Sequence, residues 1–576
     1  MSFILTLAAC AVLTIESPAD LVGSNAVSRT KCYATEEDGA TVLHLVGDQR
    51  PWSPATFEID PNAAYRLSGE FRAEPGTEPG TLYFGFTQFN RGRLINSPPV
   101  NAVESTQTEL AAPVSRGGTE LRIVSAENWF TEDGTVVFGA KGDLTDLPNF
   151  DYTKGGITNL VRNADGTATL FLSKPVDGDH PAGTAVREHR HGGNYLYAGC
   201  WNIPAPREWT RFEGTVGGHA LLGLPYDKWW PGAEKAGILI LANYRSPESR
   251  TEVRNLKVET IQEGLLPPGE LWTDDRGWPI CAHGAGILTD CGRYWWFGEH
   301  LSYGTGRMHI GVHAYSSWNL RDWKDEGIAF KVDDSGNSPA SDGCVIERPK
   351  VIFCRKTGCY MMFFHLEPKE DRASYSGGYV GMAVSPKPQG PYRFVCARRP
   401  LGDLCRDLTV FQDDDKRAYL VAASGARNSH LTVYPLTDDY CDFTGEKHAV
   451  EGSDHDEAPA ILKANGWYFM LASGCTGRAP NAARYFRART MTGPWTRMGN
   501  PARGIDPATG LGPEKTWGCQ SAFALKLRDG SFVALFDRWN PQALHDSRYI
   551  WLPVETTDEG LMTISFKKGD AGNESD

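Results

Sequence analysis

The chain has 576 residues, too many for one hydrophobic core, so at least two domains are expected. A formal net charge of −13 argues against nucleic acid, whose phosphates need a basic face, and disfavours anionic membranes, whereas a neutral sugar polymer is indifferent to it. Thirteen cysteines include no Cys-x-x-Cys pair, which argues against a zinc ribbon or a thioredoxin-type site, and their odd number leaves at least one thiol unpaired within the chain.

Residues 1–23 open with an apolar run, 3–15, too short to span a bilayer as a helix. It resembles the apolar region of a signal peptide, and Leu7-Ala8-Ala9-Cys10 looks like a bacterial lipobox, although no Lys or Arg precedes it. The run reads either as an export segment (periplasmic, lipid-anchored or secreted) or as a buried first strand, and export is the expectation.

Residues 24–263 read as all β. Residues 65–72, 81–86 and 120–124 alternate with period two, and Glu74-Pro75-Gly76 and Asn163-Ala164-Asp165-Gly166 supply turns. A jelly-roll-like β-sandwich is the natural solution, and it looks like the accessory, carbohydrate-binding-like domains of carbohydrate-active enzymes. Glu188-His189-Arg190-His191-Gly192-Gly193 carries ligand-type residues without a partner cluster, so a loop is expected rather than a metal site. Trp229-Trp230 suits a sugar face or a core equally. Leu266-Pro267-Pro268-Gly269 is the linker candidate.

From 270 to 560 one pattern recurs five times: a polar residue opens an apolar strand, a Gly or Asp turn follows, and an aromatic-rich strand returns. The polar residues are His283, Glu347, Asp407, Glu457 and Gln520, each 11 to 13 positions before an aromatic one, and the aromatic positions recur every 49 to 66 residues. Such a period with several strands per unit predicts a β-propeller, here of five blades. Equivalent positions converge at one end of a propeller channel. Carboxylates crowded there shift each other's pKa values, which suits acid-assisted cleavage of a glycosidic bond. The alternative is a solvated channel lining with no chemistry. Cys354 and Cys359 flank a four-residue turn and are expected to face each other across a hairpin, within disulfide reach if the protein is exported.

Other chemistry finds no support. His-Glu-x-x-His, Gly-x-Ser-x-Gly and Walker motifs are absent; Gly284-Ala285-Gly286 and Gly304-Thr305-Gly306 lack the strand–helix setting of a dinucleotide fingerprint. Asp413-Asp414-Asp415 lacks the Gly and distal Glu of an EF-hand and reads as a turn.

The repeat carries Ala282-His283-Gly284-Ala285-Gly286, Phe297-Gly298-Glu299-His300, Glu347-Arg348-Pro349-Lys350 and Arg406-Asp407-Leu408-Thr409. It continues through Glu457-Ala458-Pro459-Ala460, Cys475-Thr476-Gly477, Ala479-Pro480-Asn481, Gln520-Ser521, Asp537-Arg538-Trp539 and Asp546-Ser547-Arg548-Tyr549. Over about 270–555 these residues resemble glycoside hydrolase family 43, and within it the exo-β-1,3-galactanase branch. The resemblance implies Glu457 as general acid and Asp407 as the carboxylate that tunes it. The usual first-blade Asp base is missing, with His283 in its place, and the branch's fifth-blade Gln maps onto Gln520. Substrate contacts are then expected from Glu347, His283, Arg348, Thr476, Asn481, Trp539 and Arg548. Gln520 is expected to orient the attacking water roughly 6.5–9.5 Å from the acid, by analogy with inverting carboxylate pairs. The branch reads Thr-Gly-Trp after the Cys where this chain has Arg478, so a stacking platform is lost.

The implied function is an inverting exo-glycosidase releasing galactose from β-1,3-galactan. The alternatives are a galactofuranosidase or arabinofuranosidase of the same family and a non-catalytic sugar-binding propeller. The expected partner is a polysaccharide or oligosaccharide, with no nucleic acid and no membrane span, and nothing specifies an oligomeric state. No cofactor or metal is expected, and a structural calcium ion finds no motif.

Overall fold

The computed structural model describes residues 11–17, 20–23, 32–131, 134–301, 310–543 and 546–566. Almost all of its regular structure is β, and no helix among these residues is long and apolar enough to cross a membrane. The chain divides into two compact units, Met1–Gln262 and Glu263–Asp576.

In the N-terminal unit a six-stranded sheet runs Thr210–Gly217, Ala64–Ala73, Arg250–Thr260, Ala40–Val46 and Cys32–Glu37, with Ala11–Ile15 added against Arg250–Thr260. The end of the N-terminal apolar run is therefore a strand of this sheet, while Leu7 to Cys10 lie outside the described residues. A seven-stranded sheet is built around Leu196–Pro204, Thr81–Asn90 and Lys235–Leu241. Alternation along the strands turns Leu67, Phe71 and Val253 of the first sheet against Phe84, Phe86 and Ile238 of the second, and these make one buried core. Two three-stranded sheets enclose a separate core around Leu121, Val136, Leu170 and Val186.

One sequence expectation fails here, and one open alternative is decided. Glu188 to Arg190 are not loop but part of the strand Ala185–Arg190, and Glu188 and His189 are fully buried. Glu188 Oε2 accepts from Phe130 N–H at 2.9 Å, and His189 is met by the neighbouring Arg187. Its guanidinium bonds His189 Nε2 at 3.0 Å and Asp146 Oδ2 at 2.8 Å, satisfying polar groups that would otherwise seek water. Trp229 and Trp230 are wholly enclosed in the core, which removes the sugar-stacking alternative.

The C-terminal unit holds five antiparallel sheets in chain order. Their first strands are His283–Asp290, Val345–Cys354, Cys405–Gln412, Asp456–Ala464 and Gln520–Lys526, and in each sheet the second, third and fourth strands follow in sequence. Successive first strands lie side by side, and the fifth returns to the first, closing the set. In the fifth sheet Ala502–Arg503 joins the outer strand Met562–Ser565 in parallel.

The expected linker belongs to this unit. Leu265 and Leu266 pack on the cluster that contains Trp272, Trp296 and Trp551, and Gly269 N–H donates to Tyr549 O at 2.9 Å. Glu263 accepts from the Tyr294 hydroxyl and pairs with Arg528. Cys354 and Cys359 are register partners, as their spacing predicts, and both thiols are free.

Candidate active site

Each first strand breaks register just after it begins: between His283 and Gly286, Glu347 and Lys350, Cys405 and Leu408, Glu457 and Ala460, Ser521 and Phe523. At Gly284, Arg348 and Ala458 the backbone is left-handed. A bulge of this kind bends the strand and re-aims the side chain beside it. At Gly284 no other residue fits, because a Cβ would stand 2.5 Å from Glu299 Oε1.

The re-aimed residues meet in a pocket of about 410 Å³, lined by Glu347, Arg348, Asp407, Glu457, Gln520 and Trp539, and also by Glu299, Leu301, Tyr375, Gly477 and Arg478. Arg348 is its hub. This guanidinium is 3% exposed; it pairs with Asp407 Oδ2 at 3.0 Å and donates to Gln520 Oε1 and Ser521 O at 2.7 Å each. Its backbone N–H donates to Glu299 Oε1 at 3.2 Å.

Gln520 joins this hub to Glu457. Its Oε1 accepts from Arg348 and from Trp539 Nε1 at 3.0 Å, while its Nε2 donates to Glu457 Oε1 at 3.0 Å and Ser473 Oγ at 3.2 Å. The amide orientation follows from its partners, since guanidinium and indole only donate and must face the oxygen. Glu457 Oε2 accepts from Asn428 Nδ2 at 3.2 Å. Burial pushes the Glu457 carboxyl up, to about 7, and the negative charge of Asp407 adds to it against the Cys475 and Asn428 hydrogen bonds and the Arg348 charge. Glu347, expected to share in this, is instead neutralised locally. Its Oε2 lies 2.9 Å from His365 Nδ1, its Oε1 accepts from Tyr375 OH at 2.9 Å, and His365 Nε2 lies 2.9 Å from Glu367 Oε1. Burial alone would lower His365, but the hydrogen bonds and charges of Glu347 and Glu367 outweigh it and raise the ring to about 9.

Below the pocket sit more buried charges. Lys350 Nζ donates to Gly284 O at 2.9 Å, and burial with the nearby Arg348 charge lowers it to about 7. Asp537 Oδ2 accepts from Gly284 N–H at 2.8 Å, and burial raises it to about 6 despite Arg348, that hydrogen bond and Lys350. Burial and the Glu347 charge raise Glu299 as well.

Several expected site residues stand elsewhere. His283 is fully buried, stacked 5.1 Å from the Tyr549 ring and 5.5 Å from Trp539, so it lies behind the pocket lining, not on it. Thr476 and Asn481 hold the loop between them. Thr476 Oγ1 donates to Ala479 O at 2.6 Å, and Asn481 Nδ2 donates to Thr476 Oγ1 at 2.7 Å and Gly474 O at 2.8 Å. That loop places Gly477 and Arg478 in the lining. Arg548 is bound to Asp546 and is outside the lining. The expected 6.5–9.5 Å between acid and Gln520 is contradicted by their direct contact at 3.0 Å. Glu299 and Tyr375 were missed; the signal for Glu299 was a lone carboxylate at the end of the apolar strand Arg293–His300, cross-paired with His283.

Glu347, His365 and Asp407 also bring three metal-type ligand atoms within 4.8 Å of one another. Both ring nitrogens of His365 already face carboxylates, so the ring has no nitrogen to give an ion.

The description "Glycosyl hydrolases family 43" matches residues 287–544. A solved family 43 β-1,3-galactosidase, bound to galactodeoxynojirimycin, is 37% identical; the match covers 52% of this chain and 99% of that one, with a TM-score of 0.50. An exo-β-1,3-galactanase of Phanerochaete chrysosporium, solved with galactose, is 35% identical over 52% of this chain and 66% of its own, with a TM-score of 0.46. A curated β-D-galactofuranosidase of Aspergillus niger is 33% identical over 129 residues, which is 21% of this chain and 37% of that protein. Through its C-terminal unit, the chain belongs to family 43 of the glycosyl hydrolases.

Proposed function

We propose that the C-terminal unit is a five-bladed β-propeller glycoside hydrolase that releases galactose from the end of β-1,3-linked galactan with inversion, and that the N-terminal unit is an accessory β-sandwich. The observation that carries this is Glu457: a buried carboxyl whose pKa is pushed up to about 7, lining a pocket of about 410 Å³ beside an Arg348–Asp407 pair. Protonated Glu457 donates to the departing glycosidic oxygen. Burial, with like-charge repulsion from Asp407 added to it, keeps it protonated into the neutral range. Gln520 acts as a positioning residue, because its amide fixes Glu457 Oε1 and ties it to Arg348. The attacking water gives its proton to a lining carboxylate on the side of Asp407 and Glu347, each paired with a cation, while Glu457 loses its own proton to the leaving oxygen. Glu347 and Tyr375, coupled through one hydrogen bond, hold sugar hydroxyls. Export of the protein, expected from its N-terminal run, is part of the same proposal, since a galactan is an extracellular polymer.

A second reading, galactofuranose release, is favoured by the Aspergillus relative alone. A hydrolysis panel separates the two. β-1,3-galactobiose and -triose should be cleaved to galactose that appears first as the α anomer by NMR. Cleavage of aryl galactofuranosides with the oligogalactosides untouched would replace the first reading by the second, and retained β configuration would overturn inversion.

A further inference from the structure

The N-terminal unit contains a cluster of ionisable groups that the sugar chemistry does not use. His44 in Ala40–Val46 is paired in register with Glu252 in Arg250–Thr260, and Glu252 with Arg72 in Ala64–Ala73; Glu74 follows that last strand. Three ligand atoms face one another: His44 Nδ1 lies 3.4 Å from Glu252 Oε1 and 3.8 Å from Glu74 Oε2, and all three fall within 4.8 Å. His44 Nδ1 and Glu74 Oε2 are enclosed, and neither has a hydrogen-bond partner. The His44 side chain is 9% exposed.

We propose that His44, Glu74 and Glu252 bind a divalent transition-metal ion of the zinc type. The spacing fits an ion better than a hydrogen bond. N–H···O bonds run about 2.7–3.2 Å, whereas ligand atoms at about 2.0–2.2 Å from a tetrahedral ion lie roughly 3.3–3.6 Å apart. The rest of each ligand is already held as a metal site requires. His44 Nε2 lies 2.8 Å from Thr35 Oγ1; donating to it leaves the Nδ1 lone pair facing the two carboxylates. Glu252 turns its other oxygen to Arg72, and Glu74 Oε1 stands 3.3 Å from Arg250. Each carboxylate thus has one oxygen pinned by an arginine and one facing the cluster. An imidazole nitrogen in the set selects zinc-like ions over calcium or magnesium, which prefer oxygen alone. The Glu74 side chain is 21% exposed, so water can complete the fourth position from that side. The ion would clamp two neighbouring strands and the chain leaving a third.

The test uses the full chain, stripped with a chelator and titrated with zinc chloride, followed by calorimetry and by the melting temperature. One zinc per chain at micromolar affinity or tighter is expected, with a raised melting temperature, and X-ray absorption at the zinc edge should show one nitrogen among oxygen ligands. His44→Gln should weaken binding at least tenfold, and Glu74→Gln, at the exposed edge, gives the same reading if His44→Gln does not fold. His365→Gln should bind zinc as the parent does. No zinc binding by the parent chain, undiminished binding by the His44 or Glu74 variant, or loss confined to His365→Gln would each overturn the proposal.

Discussion

The five first strands of the C-terminal unit have two ends of opposite character. At one end lie the bulges, the left-handed Arg348 and Ala458, and the buried Glu299, Arg348, Lys350, Glu457 and Asp537. Past the bulge each strand pairs regularly to its turn, and at the other end Ile287, Val351, Val410, Ile461 and Phe523 line a second pocket of about 490 Å³. A left-handed non-glycine residue costs about 1–2 kcal/mol, and an uncompensated buried charge several more. The chain concentrates both costs around the candidate site and offsets them with apolar packing further along the same strands. Substitutions at the two ends should accordingly fail in different ways.

The largest effect is expected at the strained end. Glu457→Gln should lower kcat on β-1,3-galactobiose by about 10²–10⁴-fold, or roughly 3–5 kcal/mol in the transition state. An aryl galactoside with a strongly acidic leaving group needs no proton and should be cleaved nearly as fast as by the parent. Equal losses on both substrates would show that Glu457 is structural, and the contrast between the two ends would lose its functional meaning.

His365 tests whether that end is held by charge. Its folded pKa, about 9, stands above the usual 6.5 of histidine, so it contributes stability that is complete below about 6.5 and lost as pH rises through about 9. The contribution is on the order of 3 kcal/mol. Denaturant unfolding of the full chain, followed by tryptophan fluorescence, should lose stability between pH 6.5 and 9, and His365→Gln should flatten that slope while lowering stability at neutral pH. An unchanged slope would mean that Glu347 and Glu367 do not hold the ring protonated.

How far the sequence disclosed this depends on which strand a residue sits in. Glu347, Asp407, Glu457 and Gln520 were readable because each opens a first strand at a fixed distance from a turn and an aromatic. Asn428 and Tyr375 come from loops whose lengths vary from sheet to sheet, and no local period marks them. His283 occupies the right place in the pattern, yet Tyr549 and Trp539, more than two hundred residues away, cover it. That packing arises where the fifth sheet closes on the first, which is a property of the ring and not of any window of sequence. The N-terminal strands were legible from alternation, whereas the burial of His189 depends on Arg187 and Asp146, and that of Glu188 on the Phe130 backbone, all joined only in the fold.

A smaller effect should appear in the pH profile. In the proposed mechanism Glu457 is an acid that must be protonated, so activity should fall as pH rises past about 7. Asp407→Asn removes the charge that adds to burial in raising Glu457 and leaves the Arg348 cation facing it, so the falling limb should move down by about one unit. Gln520→Ala should leave the limb closer to its place and lower kcat more than it raises KM, as expected for a residue that positions the acid. If the Asp407 variant kept its limb, burial alone would set the acidity of Glu457.

The smallest effect is expected at the regular end, in the two-residue turn between Asp456–Ala464 and Trp467–Gly474. Asn465 and Gly466 are both left-handed, as a tight hairpin of matching twist requires. A Cβ on Gly466 would meet only the Arg489 guanidinium, at 3.3 Å, a flexible group that can move. Gly466→Ala therefore adds backbone strain without a clash, worth about 1 kcal/mol. The same strand carries Glu457 at its other end, but the regular pairing from Ala460 to Ala464 with the strand Trp467–Gly474 lies between them. The variant should unfold at slightly lower denaturant, with kcat/KM on galactobiose unchanged. A loss of activity larger than the loss of stability would mean that strain at one end of this strand reaches the acid at the other, and that the two ends are not independent.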